Sequence, residues 1–149
     1  MYGPEHFDSH GELRSTSGNW VACIFLLYPW IILGMNMCPH GGSIPLTALL
    51  FPEVRDFVPA LVCGGAVVLM FFVYPFRGQH RELMAVSYGA LFAAAALATV
   101  HPLLRLYDTQ GMEDNLVWFC CALLHLAALL QLSPDRRNRD TFIHGCEVI

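Results

Sequence analysis

The sequence predicts an all-α integral membrane protein, a bundle of four transmembrane helices with both termini on the cytoplasmic side. Three observations carry this expectation. Four apolar segments, 20–37, 57–76, 83–104 and 116–132, contain no Asp, Glu, Lys or Arg. Apolar residues make up 56% of the chain and charged residues 13%, where a soluble domain carries about 25% charge; the mean hydropathy is +0.50. All eight basic residues are arginines, and they divide unevenly between the two ends of such a bundle. At 149 residues the chain is one membrane domain.

Residues 1–19 read as a polar arm, mildly acidic, with turn-forming Gly, Ser and Asn near its end. It lacks the basic and apolar regions of a cleaved signal, so the first apolar run is expected to act as its own insertion signal. That run, 20–37, is close to the lower limit of about 17 to 25 residues for a spanning helix. Pro29 falls mid-span and removes a backbone donor, which predicts a kink. Residues 38–56 hold Pro39, Pro45 and Pro52 with Gly41 and Gly42. They predict a Pro/Gly-rich interfacial loop, because lipid does not tolerate irregular backbone at greater depth.

The second span, 57–76, places Pro59 in its first turn, where proline is tolerated. Ala60 and Gly64 stand four apart and would let another backbone approach. A polar turn, 77–82, follows. In the third span Ser87, Ala90, Ala94 and Ala98 recur at steps of three and four, then His101 and Arg105. Small residues at that spacing form the packing face of a membrane helix. Pro102 is expected to loosen the last turn and let Arg105 drift off the line. In the fourth span Trp118, Cys121, His125 and Ala128 share one face, opposite leucines. Residues 133–149 read as a polar tail.

Four spans put the N-terminal arm, the 77–82 turn and the tail on one side, with Arg14, Arg77, Arg81, Arg136, Arg137 and Arg139. The other side keeps Arg55 and Arg105. Six against two places both termini in the cytoplasm by the positive-inside rule. Net charge is −4 with no basic block, so nucleic acid is not an expected partner; the bilayer and other membrane subunits are.

Chemistry concentrates at two candidate cofactor-binding residues, His125 and His101. A polar group near mid-bilayer is costly and should face protein. His125 lies about nine residues into its helix, roughly 13 Å, and His101 three or four residues in, roughly 5 Å. That difference in depth argues against joint axial ligation of a haem, and no cofactor is expected. The cysteines lack CxxC or zinc spacing. No GxSxG, HExxH, P-loop or GxGxxG pattern occurs, so catalysis is not expected. The sequence therefore points to a non-catalytic multi-pass subunit that packs into and stabilises a larger membrane complex, of respiratory or other bioenergetic type, in a mitochondrial inner membrane. The alternative is a small carrier or a redox or proton-handling protein using His125.

Overall fold

The computed structural model describes residues 6–7, 13–37, 50–51, 54–108 and 112–144; for 54–55, 108, 112–115 and 144 it describes the backbone alone. Among these the regular structure is helical: α1 (Ser17–Leu26), α2 (Tyr28–Met37), α3 (Val54–Val73), α4 (Arg81–Asp108), α5 (Met112–Gln131) and the short α6 (Arg136–Arg139), closed by a π turn, Asp140–His144. Two stretches, Asp56–Phe76 and Arg81–Tyr107, are long and apolar enough to cross a membrane. The count reaches four if each of two bent pairs is one span. The expected loop 38–53 lies outside the described residues apart from Leu50 and Phe51, as does most of the polar arm.

The first apolar segment is two ten-residue helices meeting at 47°. The break sits at Leu27, two residues before Pro29. The proline ring crowds the Phe25 carbonyl and offers it no N–H, so the helix stops and restarts. The second piece is held sideways onto α3: Trp30 Nε1 donates to Leu61 O at 2.9 Å. Gly64 permits this, since a Cβ there would stand 2.5 Å from Trp30 Cδ1.

α3 begins three residues before the expected start, so Pro59 falls beyond its first turn. A short 3₁₀ turn, Tyr74–Phe76, then leads into the polar turn. α4 continues through Pro102 to Asp108, and Pro102 is buried. The expected loosening does not occur; only the hydrogen bond to the Ala98 carbonyl is forfeited. Arg105 therefore stays on the line of His101.

The helices α3, α4 and α5 pack in sequence, with α1 against α5 and α3. Lipid tails are as apolar as leucine, so association rests on close fit and hydrogen bonds rather than on expulsion of water. The fit is visible in a cluster of Cys23 and Leu26 from α1, Val67 and Met70 from α3, Met84, Tyr88, Leu91 and Ala95 from α4, and Ala128 near the end of α5. Ser87, Ala94 and Ala128 are buried, Ala98 packs on the core, and Ala60 and Cys121 are half-buried. Ala90 departs from expectation: it is exposed, with Gly89 and Ala93 beside it. The buried face of α4 is rotated toward Met84, Tyr88, Leu91 and Ala95, which leaves Ala90 on the outer flank.

The polar tail, described through residue 144, folds back onto the bundle. Asn138, Thr141 and Phe142 are buried, and the Phe142 ring stacks on Tyr88 at 4.8 Å. Asn19 Nδ2 donates to Asn138 Oδ1 at 2.7 Å. Asn138 Nδ2 donates to the carbonyls of Gln131 (3.1 Å) and Ser133 (2.8 Å). Tyr88 donates its hydroxyl to Leu132 O at 2.6 Å. The start of α1, the end of α5 and the tail are thereby joined at one end of the bundle.

Candidate functional site

The other end is built where opposite charges meet. Asp56 stands in the first turn of α3 and Arg105 in the last turn of α4. An acid at a helix N-terminus and a base at a C-terminus both complement the helix dipole. The two helices run antiparallel, so these turns are neighbours, and Arg105 Nη2 donates to Asp56 Oδ2. His101, one turn before Arg105, brings Nε2 to 3.9 Å from the same carboxylate oxygen. Among the described residues, that nitrogen is buried without a hydrogen-bond partner, since 3.9 Å is too long for one. The ring is enclosed by Trp118, edge-on at 5.6 Å, and Phe51, at 6.5 Å.

His125 lies deeper. The α5 residues Trp118, Ala122, His125 and Ala128 are all buried, and they recur at steps of four and three. That periodicity turns the imidazole inward. Its Nδ1 lies 2.8 Å from Cys121 O. A carbonyl only accepts, so Nδ1 carries the proton and the neutral ring keeps a lone pair on Nε2. Phe25 and Tyr28, flanking the break in segment one, pack edge-on to the ring at 4.9 and 5.9 Å. Ser87 and Thr99 follow the same rule, donating to Leu83 O at 2.8 Å and Ala95 O at 2.7 Å. These three side chains thus satisfy themselves on the preceding turn of their own helix.

His101 and His125 open into the same two cavities, of about 450 and 480 Å³. Tyr28 also lines both. The rest of the lining is mainly apolar, with Asp56 reaching the second cavity. The two sequence candidates therefore both line each cavity, despite their different depths. Such a cavity suits an apolar molecule with one or two polar atoms. His125 Nε2 offers an acceptor, and neutral His101 donates or accepts according to its tautomer. Asp56, Arg105, Tyr28 and Trp118 were not singled out as site residues by sequence. The available signal was the pair of opposite charges, Asp56 and Arg105, at the same end of two consecutive spans. Among the described residues, no group of three or more His, Cys, Asp or Glu side chains is arranged to hold a metal ion.

Residues 2–144 match the family described as protein of unknown function (DUF2919). The chain belongs to that family. It is also similar to the inner membrane protein YfeZ of Escherichia coli (strain K12), at 25% identity over 142 residues, which covers 95% of this chain and 93% of that protein. No solved structure matches the chain. The apolar helices and this relative together support an all-helical membrane protein. The relative is bacterial, and the expectation of a mitochondrial inner membrane gains nothing from it.

Proposed function

We propose that the chain is a non-catalytic, four-span membrane subunit that packs into a larger membrane assembly, with both termini in the cytoplasm. Each bent pair then counts as one span. The arginine-rich ends, which hold Arg14, Arg77 and Arg137 around one cavity, lie on the cytoplasmic side as the positive-inside rule requires. Assembly in the inner membrane follows the bacterial relative.

The observation that carries this reading is the outward face of α4. Gly89, Ala90 and Ala93 are exposed there, and a Cβ added at Gly89 would meet nothing within 4 Å. Small residues four apart let a second helix approach closely, and the described helices of the chain do not use this strip. Gly89→Leu tests it, because the chain itself accommodates the larger side chain. The substitution is expected to release the chain from its partners in mild detergent while leaving its thermal unfolding unchanged. Equal retention of partners by Gly89→Leu and wild type would defeat the proposal.

A second reading rests on the shared chamber, in which His125 and His101 bind an apolar solute or redox carrier. His125→Phe keeps the ring contacts and removes the hydrogen bond, so a structural role predicts a loss of about 0.5–1.5 kcal/mol. Unchanged assembly with abolished proton, quinone or solute handling would select the chamber instead.

A further inference from the structure

The end of the bundle opposite the imidazole chamber carries a cavity of a different character. It measures about 740 Å³, and its walls include Arg14, Arg77, Arg137, Thr16, Trp20 and Tyr74. Among the described residues its lining holds no carboxylate. Arg77 lies 4.3 Å above the Tyr74 ring, and its Nη1 donates to Tyr74 O at 3.3 Å. Arg14 and Arg137 have no Asp or Glu within ion-pair reach among the described residues. Among the described residues, the Nε of Arg137 is buried without a hydrogen-bond partner. A guanidinium donor left so is costly unless a ligand meets it.

The backbone adds to this charge. α1 begins at the cavity wall with Ser17, its N-cap Thr16 makes no side-chain cap bond, and its first turn holds no acid. The positive end of the helix dipole therefore lies at the same wall as the arginines. That combination selects an oxyanion, and phosphate matches the guanidinium fork.

The floor of the cavity indicates where the rest of the ligand lies. Trp20 stacks on Phe71 at 5.5 Å and meets Tyr74 edge-on at 4.7 Å. Amphipathic rings at this level mark the membrane–water interface. One turn below Trp20, Ile24 is 57% exposed, and Phe72 on α3 is 72% exposed. An apolar surface thus continues from the basic cavity toward the bilayer, as acyl chains require and a soluble phosphate does not.

We propose that this cavity binds the phosphate of an anionic phospholipid headgroup between Arg14 and Arg137, with the acyl chains leaving past Trp20 and Ile24. The site is independent of the subunit reading, since it needs no protein partner. The test uses the full chain purified in neutral detergent, titrated with phosphatidylglycerol, with phosphatidylcholine of identical chains, and with sodium phosphate. Phosphatidylglycerol is expected to remain as a one-to-one adduct in native mass spectrometry and to raise the melting temperature; phosphatidylcholine is expected to do neither. Arg14→Gln and Arg137→Gln should each weaken the adduct about fivefold or more, from the loss of one cation beside the headgroup. Arg137→Lys should keep part of it, and Arg139→Gln, outside the cavity, should keep all. If Arg137→Gln fails to fold, Arg14→Gln alone decides, because Arg14 is exposed. Equal binding of the two lipids would overturn the proposal, as would full binding by both glutamine variants. Displacement by millimolar sodium phosphate with the same thermal protection would reassign the cavity to free phosphate and also overturn it.

Discussion

Asn138→Ala should unfasten the C-terminal tail. The side chain is 4% exposed and makes three hydrogen bonds of its own: one accepted from Asn19 and two donated to the carbonyls of Gln131 and Ser133. A typical intramolecular hydrogen bond contributes about 1 kcal/mol net, and a buried partner left unsatisfied costs about 1–3 kcal/mol. Asn19 keeps one compensating bond, to Ser15 Oγ at 3.1 Å. The expected loss is therefore about 2–3 kcal/mol, the lower part of the range that three severed bonds allow. Unfolding in mixed detergent–dodecyl sulfate micelles measures it, and amide exchange over residues 133–144 localises it. Asn138→Asp keeps only the bond from Asn19 and turns a carboxylate toward two carbonyls, so it should be at least as destabilising. Asn19→Ala should cost about 1 kcal/mol, and the double variant less than the sum. Asn138→Ala within 0.5 kcal/mol of wild type, with tail exchange unchanged, would refute the latch.

Two further substitutions test the packing and the charge pair. Gly64→Ala forces the Trp30 indole off Leu61 O and should cost about 1–3 kcal/mol; Gly65→Ala, with nothing within 4 Å of its added Cβ, should change unfolding by less than about 0.5 kcal/mol. Asp56→Asn should cost about 1–2 kcal/mol by weakening the charge-assisted bond from Arg105, and adding Arg105→Gln should cost little more, as a double-mutant cycle would read.

The parts of the molecule legible in the sequence are those governed by local rules. A run such as 57–76 must be helical in lipid, because only internal hydrogen bonds satisfy its backbone, and the structure has a helix there, begun at Val54. The inward line of Trp118, His125 and Ala128 follows from periodicity alone. Helix ends and rotations were less legible. Pro102 looks like a terminator, yet its ring is packed in the interior and the helix passes through it. Ala90 and Ala94 are equal by spacing, but only the neighbouring helices decide which side of α4 closes. The packing of the tail is not legible for the same reason. Its composition is polar, and its anchor is a contact between Asn19 and Asn138, 119 positions apart, which no local pattern encodes. The cavities that both histidines line are not legible in local sequence, because their walls come from several elements. The break at Leu27 brings Phe25 and Tyr28 against His125, and Trp118 links the α5 wall to His101.

The central claim is that α4 presents its outer strip to another protein. A photoreactive amino acid at position 93, activated in native membranes, tests it directly. A cross-link to one defined membrane protein is expected, abolished by Gly89→Leu and absent when the probe is placed at Leu123 on the exposed face of α5. Adducts with lipid alone from position 93, and a chain that runs as a monomer after mild solubilisation, would contradict it.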